Sequence, residues 1–376
     1  MNTSLEKFLV NKSLYYDKID YDIIKNSWDI LSDHISLPYI IHIVGTNGKG
    51  STGRFLASIL LQLNQDVLHY SSPHIMKFNE RIWINGADVS DEKLDFAHMQ
   101  LQTVLPGNLL EKLTYFEYTT LLGFYLSDKR DYLVLEAGLG GEFDATNVVP
   151  NDLSIITTIG LDHQSFLGDT IALIAATKMR SCDKNFIISN QIYDEVYDIK
   201  EEVLGSKNEI ERKIFSLNQQ AQKLPLYLQN NLQTTLSVID FLEFKDFDYT
   251  LPQLFGRYEK IAHNIIVDVG HNPLAALAIA KELKKENKKY ILVYNSYADK
   301  DYEKVLELLH PHIQEVQIVP CEDKRIVEKE KLVKKIKSLS LSVNDFDIMK
   351  VNNKNNYFVF GSFLVVEFFL KGYMKG

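Results

Sequence analysis

The run Gly45-Thr46-Asn47-Gly48-Lys49-Gly50-Ser51-Thr52 carries the residue types that hold a polyphosphate. Glycines let backbone N–H groups approach phosphate oxygens, Lys49 can reach the terminal phosphates, and Ser51 or Thr52 offers a hydroxyl to magnesium. The spacing departs from the general P-loop: Ile43 stands where its first glycine would be, and Gly50 is inserted after the lysine. Glycine-rich strand-to-helix turns are common. What makes phosphate binding the expectation is Lys, Ser and Thr together between an apolar strand and a helical stretch. Two further residues fall where such a site would need them. Glu136 closes the apolar run Tyr132 to Leu135, which places it at the carboxyl edge of a sheet, the alternative being an ion pair at a strand end. His163 follows Asp162 just beyond the run Ser154 to Ile159, which favours a site role over a packed histidine.

Positioning these side chains requires a sheet edge. Apolar β-branched runs alternate with helical patterns almost from end to end, the signature of an α/β fold around largely parallel sheet. A first series has strand candidates Ile40 to Val44, Tyr132 to Glu136, Ser154 to Ile159 and Asn185 to Ile188, with helices after Ser51, around Tyr118 to Leu126 and from Ile171. A second has Asn264 to Val269, Tyr290 to Tyr294, Glu315 to Val319 and Tyr357 to Phe360, with helices after Pro273 and Tyr302 and around Val327 to Ile336. Asn230 to Phe241 reads as one more helix, and a polar, aromatic stretch ending on Pro252 puts a domain boundary near Gly256. The lysines from Lys324 to Lys337 alternate with apolar residues at helical spacing, which predicts a solvated helix face.

With 376 residues and 45% hydrophobic content the chain can bury a sizeable core and form two domains at ~100–200 residues each. A net charge of −9 argues against binding nucleic acid or an anionic membrane, so any phosphate site is made locally. Cys182 and Cys321 stand far apart with no ligand cluster, which fits a reducing cytoplasm and supports neither a disulfide framework nor zinc. The opening MNTSLEKFLVNKS has no signal-peptide core, and the apolar stretch Tyr357 to Leu370 is shorter than the ~20 residues that span a bilayer, so it reads as core.

At the glycine loop the sequence resembles the Mur ligase superfamily, and further motifs narrow the resemblance to the folylpolyglutamate synthase and dihydrofolate synthase family. They are YSSPH from Tyr70 with NERI from Asn79, TYFEY from Thr114, LEAGLGGEFDATN from Leu135 and LDHQSFLG from Leu161. FGRYE around Arg257, DVGHNP from Asp268, ADKDY from Ala298 and FGSF from Phe360 complete an ordered set covering nearly the whole chain. The resemblance implies an α/β fold: a P-loop-containing, Mur-ligase-like domain with the folate site over residues 1–254, and a smaller Rossmann-like α/β domain over 255–376. It implies an ATP-dependent ligase that adds L-glutamate to dihydropteroate and to reduced folates through an acyl phosphate. A monofunctional folylpolyglutamate synthase, another Mur-type amino-acid ligase and a P-loop regulator without ligase chemistry are the competing readings.

Residue by residue, the resemblance makes Thr46 to Thr52 the ATP loop, with Arg257 on phosphate, Asp268 on ribose and Asn231 at the adenine end. Asn231 sits in a partial match, NNLQTT, and a helix-cap role is its alternative. Ser72 and Glu136, with Ser51, would ligate one Mg2+, and Glu136 with His163 a second. Lys178 falls where the resembling enzymes carry an N6-carboxylysine that ligates metal, although Thr177-Lys178-Met179-Arg180 departs from the usual surroundings. Thr114, Tyr115, Phe116 and Glu117, with Phe143, Asp144 and Ala145, fall where the pterin is held. Tyr115 and Phe116 either stack on that ring or belong to the core. Glu142 stands where many relatives have arginine. His271 would contact glutamate or ATP, or serve only the helix opened by Asn272 and Pro273. The expected partners are thus ATP, L-glutamate and a pteroate or folate, with a monomer expected.

Overall fold

The structure, a computed structural model, describes residues 4–13 and 20–374, which form two compact units. The first comprises Met1–Gln222 and Leu228–Pro252, the second Lys223–Tyr227 and Gln253–Gly376.

The first unit is built on eight strands: β1 (Tyr39–Val44), β2 (Val67–Tyr70), β3 (Ile82–Ile84), β4 (Ala87–Asp88), β5 (Tyr132–Glu136), β6 (Leu153–Ile156), β7 (Asn185–Ile188) and β8 (Asn208–Glu209), in the order β4-β3-β2-β5-β1-β6-β7-β8. β2, β5, β1, β6, β7 and β8 are parallel, and β3 and β4 add an antiparallel edge. Side chains of β1 and β5 are buried on both faces, which is why both read as apolar runs, interrupted in β1 by the buried His42 and closed in β5 by Glu136. One core fills the face under Tyr118, Leu121 and Leu122 of the helix Tyr115–Leu126, the other the face under Ile174 and Met179 of the helix Ile171–Met179. Thr114 starts the former helix with a capping box: its hydroxyl accepts from the Glu117 amide, and the Glu117 carboxylate accepts from the Thr114 amide at 2.8 Å.

The expected strand Ser154 to Ile159 ends at Ile156. Beyond it Thr157 still donates its amide to Val44 O, but Ile159 N turns to the side chain of Gln191, so the chain leaves the ladder beside the glycine loop. Ser4–Leu9, within the polar opening stretch, is a helix that buries Leu5 and Leu9; Met1 to Thr3 lie outside the described residues.

The second unit has β9 (Glu259–Ala262), β10 (Ile265–Val267), β11 (Tyr290–Tyr294), β12 (Ile313–Ile318), β13 (Ser342–Asp345) and β14 (Tyr357–Phe360), ordered β13-β12-β11-β14-β10-β9, parallel except for β9. β10 is shorter than the expected Asn264 to Val269: Asp268 N still donates to Val359 O, but Val269 N turns to Gly256 O, and the Asn264 amide and Asp268 carboxylate bind the turns at either end. Asn272 caps the helix Pro273–Glu286 by accepting from Ala275 N, with Pro273 in the first turn. The lysine-rich helix Lys329–Ser338 buries Leu332 and Ile336 and exposes Lys331, Lys334 and Lys337, a solvated face. Tyr357 to Leu370 is mostly core, with Phe368 exposed, and among the described residues no helix is long and apolar enough to cross a membrane.

Candidate active site at the phosphate loop

Register fixes what meets at the carboxyl edge of the first sheet. Tyr70 pairs with Leu135, Ile43 with Glu136 and Val44 with Ile156, so β2, β5, β1 and β6 all end at one level. From these ends come Ser72, Glu136, the glycine loop and Thr157, on the side of an open α/β sheet where ligands bind. Gly45, at φ +150°, lies so close to Thr157 that a Cβ would collide with its hydroxyl. The amides of Thr46 and Asn47 both donate to Thr158 O, at 3.0 and 3.1 Å, fastening the loop to the end of β6. Gly48, at φ +93°, precedes the helix Lys49–Gln62, whose first intrahelical bond runs from Thr52 N to Gly48 O. The amides of Lys49, Gly50 and Ser51 are therefore first-turn donors without intrahelical acceptors, the arrangement that receives a phosphate.

Lys49 Nζ donates to Gly45 O at 3.1 Å and lies 4.0 Å from Glu136 Oε1, whose side chain is almost wholly buried. The lysine is thus held over the loop by the Gly45 carbonyl and one carboxylate. Ser51 Oγ donates to Gly48 O and accepts from Asn231 Nδ2 at 2.8 Å. Asn231 lies inside the helix Leu226–Phe241 and not at its start, so the helix-cap alternative does not hold. Its replacement by leucine is expected to take away the donor to the buried Ser51 hydroxyl, which keeps its own bond to Gly48 O, lowering unfolding stability by about 1 kcal/mol in urea titrations and raising KM for ATP.

Among the described residues no three His, Cys, Asp or Glu side chains converge as a metal cage. The donors at this edge are one carboxylate, Glu136, and the hydroxyls of Ser51 and Ser72. That set fits a hard divalent cation that keeps several waters, as magnesium does. His163, in the left-handed region at φ 51°, opens the short helix Gln164–Leu167, with Nε2 3.9 Å from Asp162 Oδ1.

Lys178, on the helix Ile171–Met179, is only 4% exposed. Burial, reinforced by the charge of Lys49, brings its ammonium down to about 7, while Asp162 and Asp144 act in the opposite direction. Gly141 packs against it: a Cβ there would stand 2.9 Å from the Lys178 carbonyl. Two residues that depart from the resembling pattern turn out to be partners, since Arg180 Nη1 donates to Glu142 Oε2 at 3.0 Å. Both are partly exposed, so the pair contributes under about 1 kcal/mol, but it ties the loop after β5 to the helix that carries Lys178.

The second aromatic-lined region lies along the helix Tyr115–Leu126 and the Gly138 to Thr146 loop. Phe116 fills the space over Gly138 and is tilted against Tyr70, while Tyr115 lies under the Arg81 guanidinium, 5.2 Å away. Both rings are partly buried and border the core. Glu117 is buried and used by the capping box. Phe143 is 57% exposed and meets Tyr21 edge-on at 6.2 Å; Ala145 is buried. Asp144 is buried and accepts from Leu139 N, Thr146 N and the Thr146 hydroxyl. Tyr21 and Arg81 are additions that motif reading did not single out. Arg81 was visible within NERI, whereas nothing local marks Tyr21.

In the second unit Asp268 accepts from Tyr227 Oη, Tyr258 N and Gly270 N, and burial raises its carboxyl while Arg257 pulls it down. Arg257 lies over the Phe363 ring at 5.3 Å, and His271 Nδ1 is 3.1 Å from Val269 O. These three residues are gathered by the turns after Gly256 and β10.

The strand–glycine loop–helix cradle, at the carboxyl edge of a largely parallel sheet, is the architecture of an ATP-dependent ligase of Mur type. No family model matches the chain. A dihydrofolate synthase/folylpolyglutamate synthase of Haemophilus influenzae is 34% identical over 348 residues, spanning 80% of this chain and 79% of that protein. The crystal structure of Helicobacter pylori folylpolyglutamate synthetase superposes with a TM-score of 0.78 at 36% identity, covering 99% of this chain and 98% of that one. The bifunctional folylpolyglutamate synthase/dihydrofolate synthase of Yersinia pestis, complexed with AMPPNP and Mn ion, gives a TM-score of 0.83 at 26% identity, covering 99% and 97%. The chain belongs to the dihydrofolate synthase/folylpolyglutamate synthase family.

Proposed function

We propose that the protein joins L-glutamate to dihydropteroate and to reduced folates at the expense of ATP. The observation that carries this is Lys49 over the glycine loop with the buried carboxylate of Glu136 4.0 Å from its Nζ. A carboxylate and an amine do not condense in water unless the carboxylate is first made electrophilic. A carboxylate oxygen of the pterin-linked acid attacks the γ-phosphorus, the bond to ADP breaks, and an acyl phosphate results. The glutamate amine then attacks the acyl carbon and phosphate leaves. Lys49 and the first-turn amides bind the phosphates and offset the charge that spreads over the transferring group. Glu136, Ser51 and Ser72 would hold Mg2+, with Glu136 and His163 at a second site; the cation supplies further charge neutralisation. Tyr115, Phe116 and the Phe143 to Ala145 loop are assigned to the pterin. Arg257 and Asp268 are assigned to the nucleotide, and His271 to glutamate or nucleotide. Cys182 and Cys321 are both free, as a protein working in a reducing cytoplasm would keep them, and the protein is assigned as a monomer.

Lys178 is assigned as the N6-carboxylysine. Its amine is neutral in growing proportion as pH rises through about 7, and only the neutral form adds to CO2, losing a proton to leave a carbamate anion. Depleting CO2 from the assay is expected to remove most activity, bicarbonate to restore it, and Lys178→Met to be inactive in both. An unchanged rate on depletion and in the variant would contradict the assignment. The whole reading is tested by phosphate release from ATP that requires dihydropteroate and glutamate together; release indifferent to both would overturn it.

A further inference from the structure

His42 stands in the middle of β1, between Leu135 of β5 and Ser154 of β6, and is 1% exposed. Its Nε2 lies 2.8 Å from Thr146 Oγ1, and the Thr146 hydroxyl donates to Asp144 Oδ1 at 2.6 Å. A hydroxyl has a single proton. Because that proton goes to the carboxylate, Nε2 of His42 must carry hydrogen and donate, which fixes the tautomer. Nδ1 is then a bare lone pair, and it has no partner; an unpaired acceptor is better tolerated than an unpaired donor. Burial keeps the ring neutral. At the other end Asp144 also accepts from Thr146 N at 3.0 Å on Oδ1 and from Leu139 N at 2.7 Å on Oδ2, closing the Gly138 to Thr146 loop on itself. That loop carries Phe143 to the surface beside Tyr21 and sets Gly141 against Lys178.

We propose that His42 is a positioning residue for the organic-acid site: its Nε2–H orients the Thr146 hydroxyl, which orients the Asp144 carboxylate and with it the loop bearing Phe143. The inference rests on the reading that this loop borders the pterin-linked acid. His42→Leu keeps the volume and removes the donor, whereas His42→Gln can return an amide N–H to the Nε2 position. His42→Leu raises KM for dihydropteroate about ten-fold, the size of one lost buried hydrogen bond, with KM for ATP held within about two-fold. His42→Gln returns the former toward wild type. KM for dihydropteroate unmoved in the leucine variant, both KM values raised alike, or no return with glutamine in a folded variant would each overturn the proposal. Should His42→Leu fail to fold, nitrogen NMR of the wild-type imidazole decides: hydrogen on Nε2 supports the relay, and hydrogen on Nδ1 or on both nitrogens overturns it. Wild-type protein that does not turn over dihydropteroate would sink the functional reading instead, and the tautomer measurement is independent of that result.

Discussion

Lys49→Ala is expected to lower kcat/KM for ATP-dependent ligation on the order of a thousand-fold, about 4 kcal/mol of transition-state stabilisation. The size follows from pre-organisation. Lys49 Nζ is already held by Gly45 O and Glu136, so on the proposed reading its charge stands where the terminal phosphate would arrive and little reorganisation would be needed as that group transfers. Removing it would leave the first-turn amides of the helix Lys49–Gln62 and the proposed cation without the one side-chain charge held over the loop. Lys49→Arg is not expected to rescue, because a planar fork is wider than a point charge on a flexible stem and the gap over the loop is shaped by Gly45 and Gly48. Steady-state kinetics with a melting curve checks this. A folded variant within ten-fold of wild type would show that the loop does not handle the transferred phosphoryl group.

Glu136→Gln is expected to lower kcat by about a hundred- to a thousand-fold and to raise the magnesium concentration needed for half-maximal rate. The substitution preserves shape at a strand end where the side chain has almost no room to move, so the lost charge is the main change. Since Lys49 and Glu136 face one another, their effects should not multiply. The double variant Lys49→Ala, Glu136→Gln is expected to be far less impaired than the product of the single effects, because the proposed reading has both residues serve the same phosphoryl group. Magnesium titrations of all three variants check this, and a normal magnesium dependence in Glu136→Gln would remove the carboxylate from the proposed metal set.

The parts of this site that are legible along the chain are those whose chemistry is local. The glycine loop, the strand before it and the helix after it are contiguous, so residue type and order are enough to describe them. The end of β5 is legible because an apolar run stops at a carboxylate. The helix start at Asn272 is likewise written in its capping residue, whereas the helix expected around Tyr118 begins three residues earlier, behind the Thr114 cap. What could not be read depends on pairing between distant segments. β2 is four residues long and becomes a strand only by lying between β3 and β5. Glu142 and Arg180, each puzzling alone, explain one another only when the loop and the helix are packed together. The same holds for His42, whose partner Thr146 comes from beyond four intervening strands of the sheet in chain order. Asn231 resembles a cap in sequence, yet its amide is used inside a helix to hold Ser51.

The most direct test of the central claim, that the loop bearing Lys49 hands a phosphoryl group to an organic acid, is oxygen transfer. Dihydropteroate carrying heavy oxygen in its carboxylate is turned over with ATP and L-glutamate, and the released phosphate is analysed by mass. Attack by the carboxylate on the γ-phosphorus places one labelled atom in each phosphate. Phosphate released without label, alongside formation of the amide product, would mean that the acid was never phosphorylated.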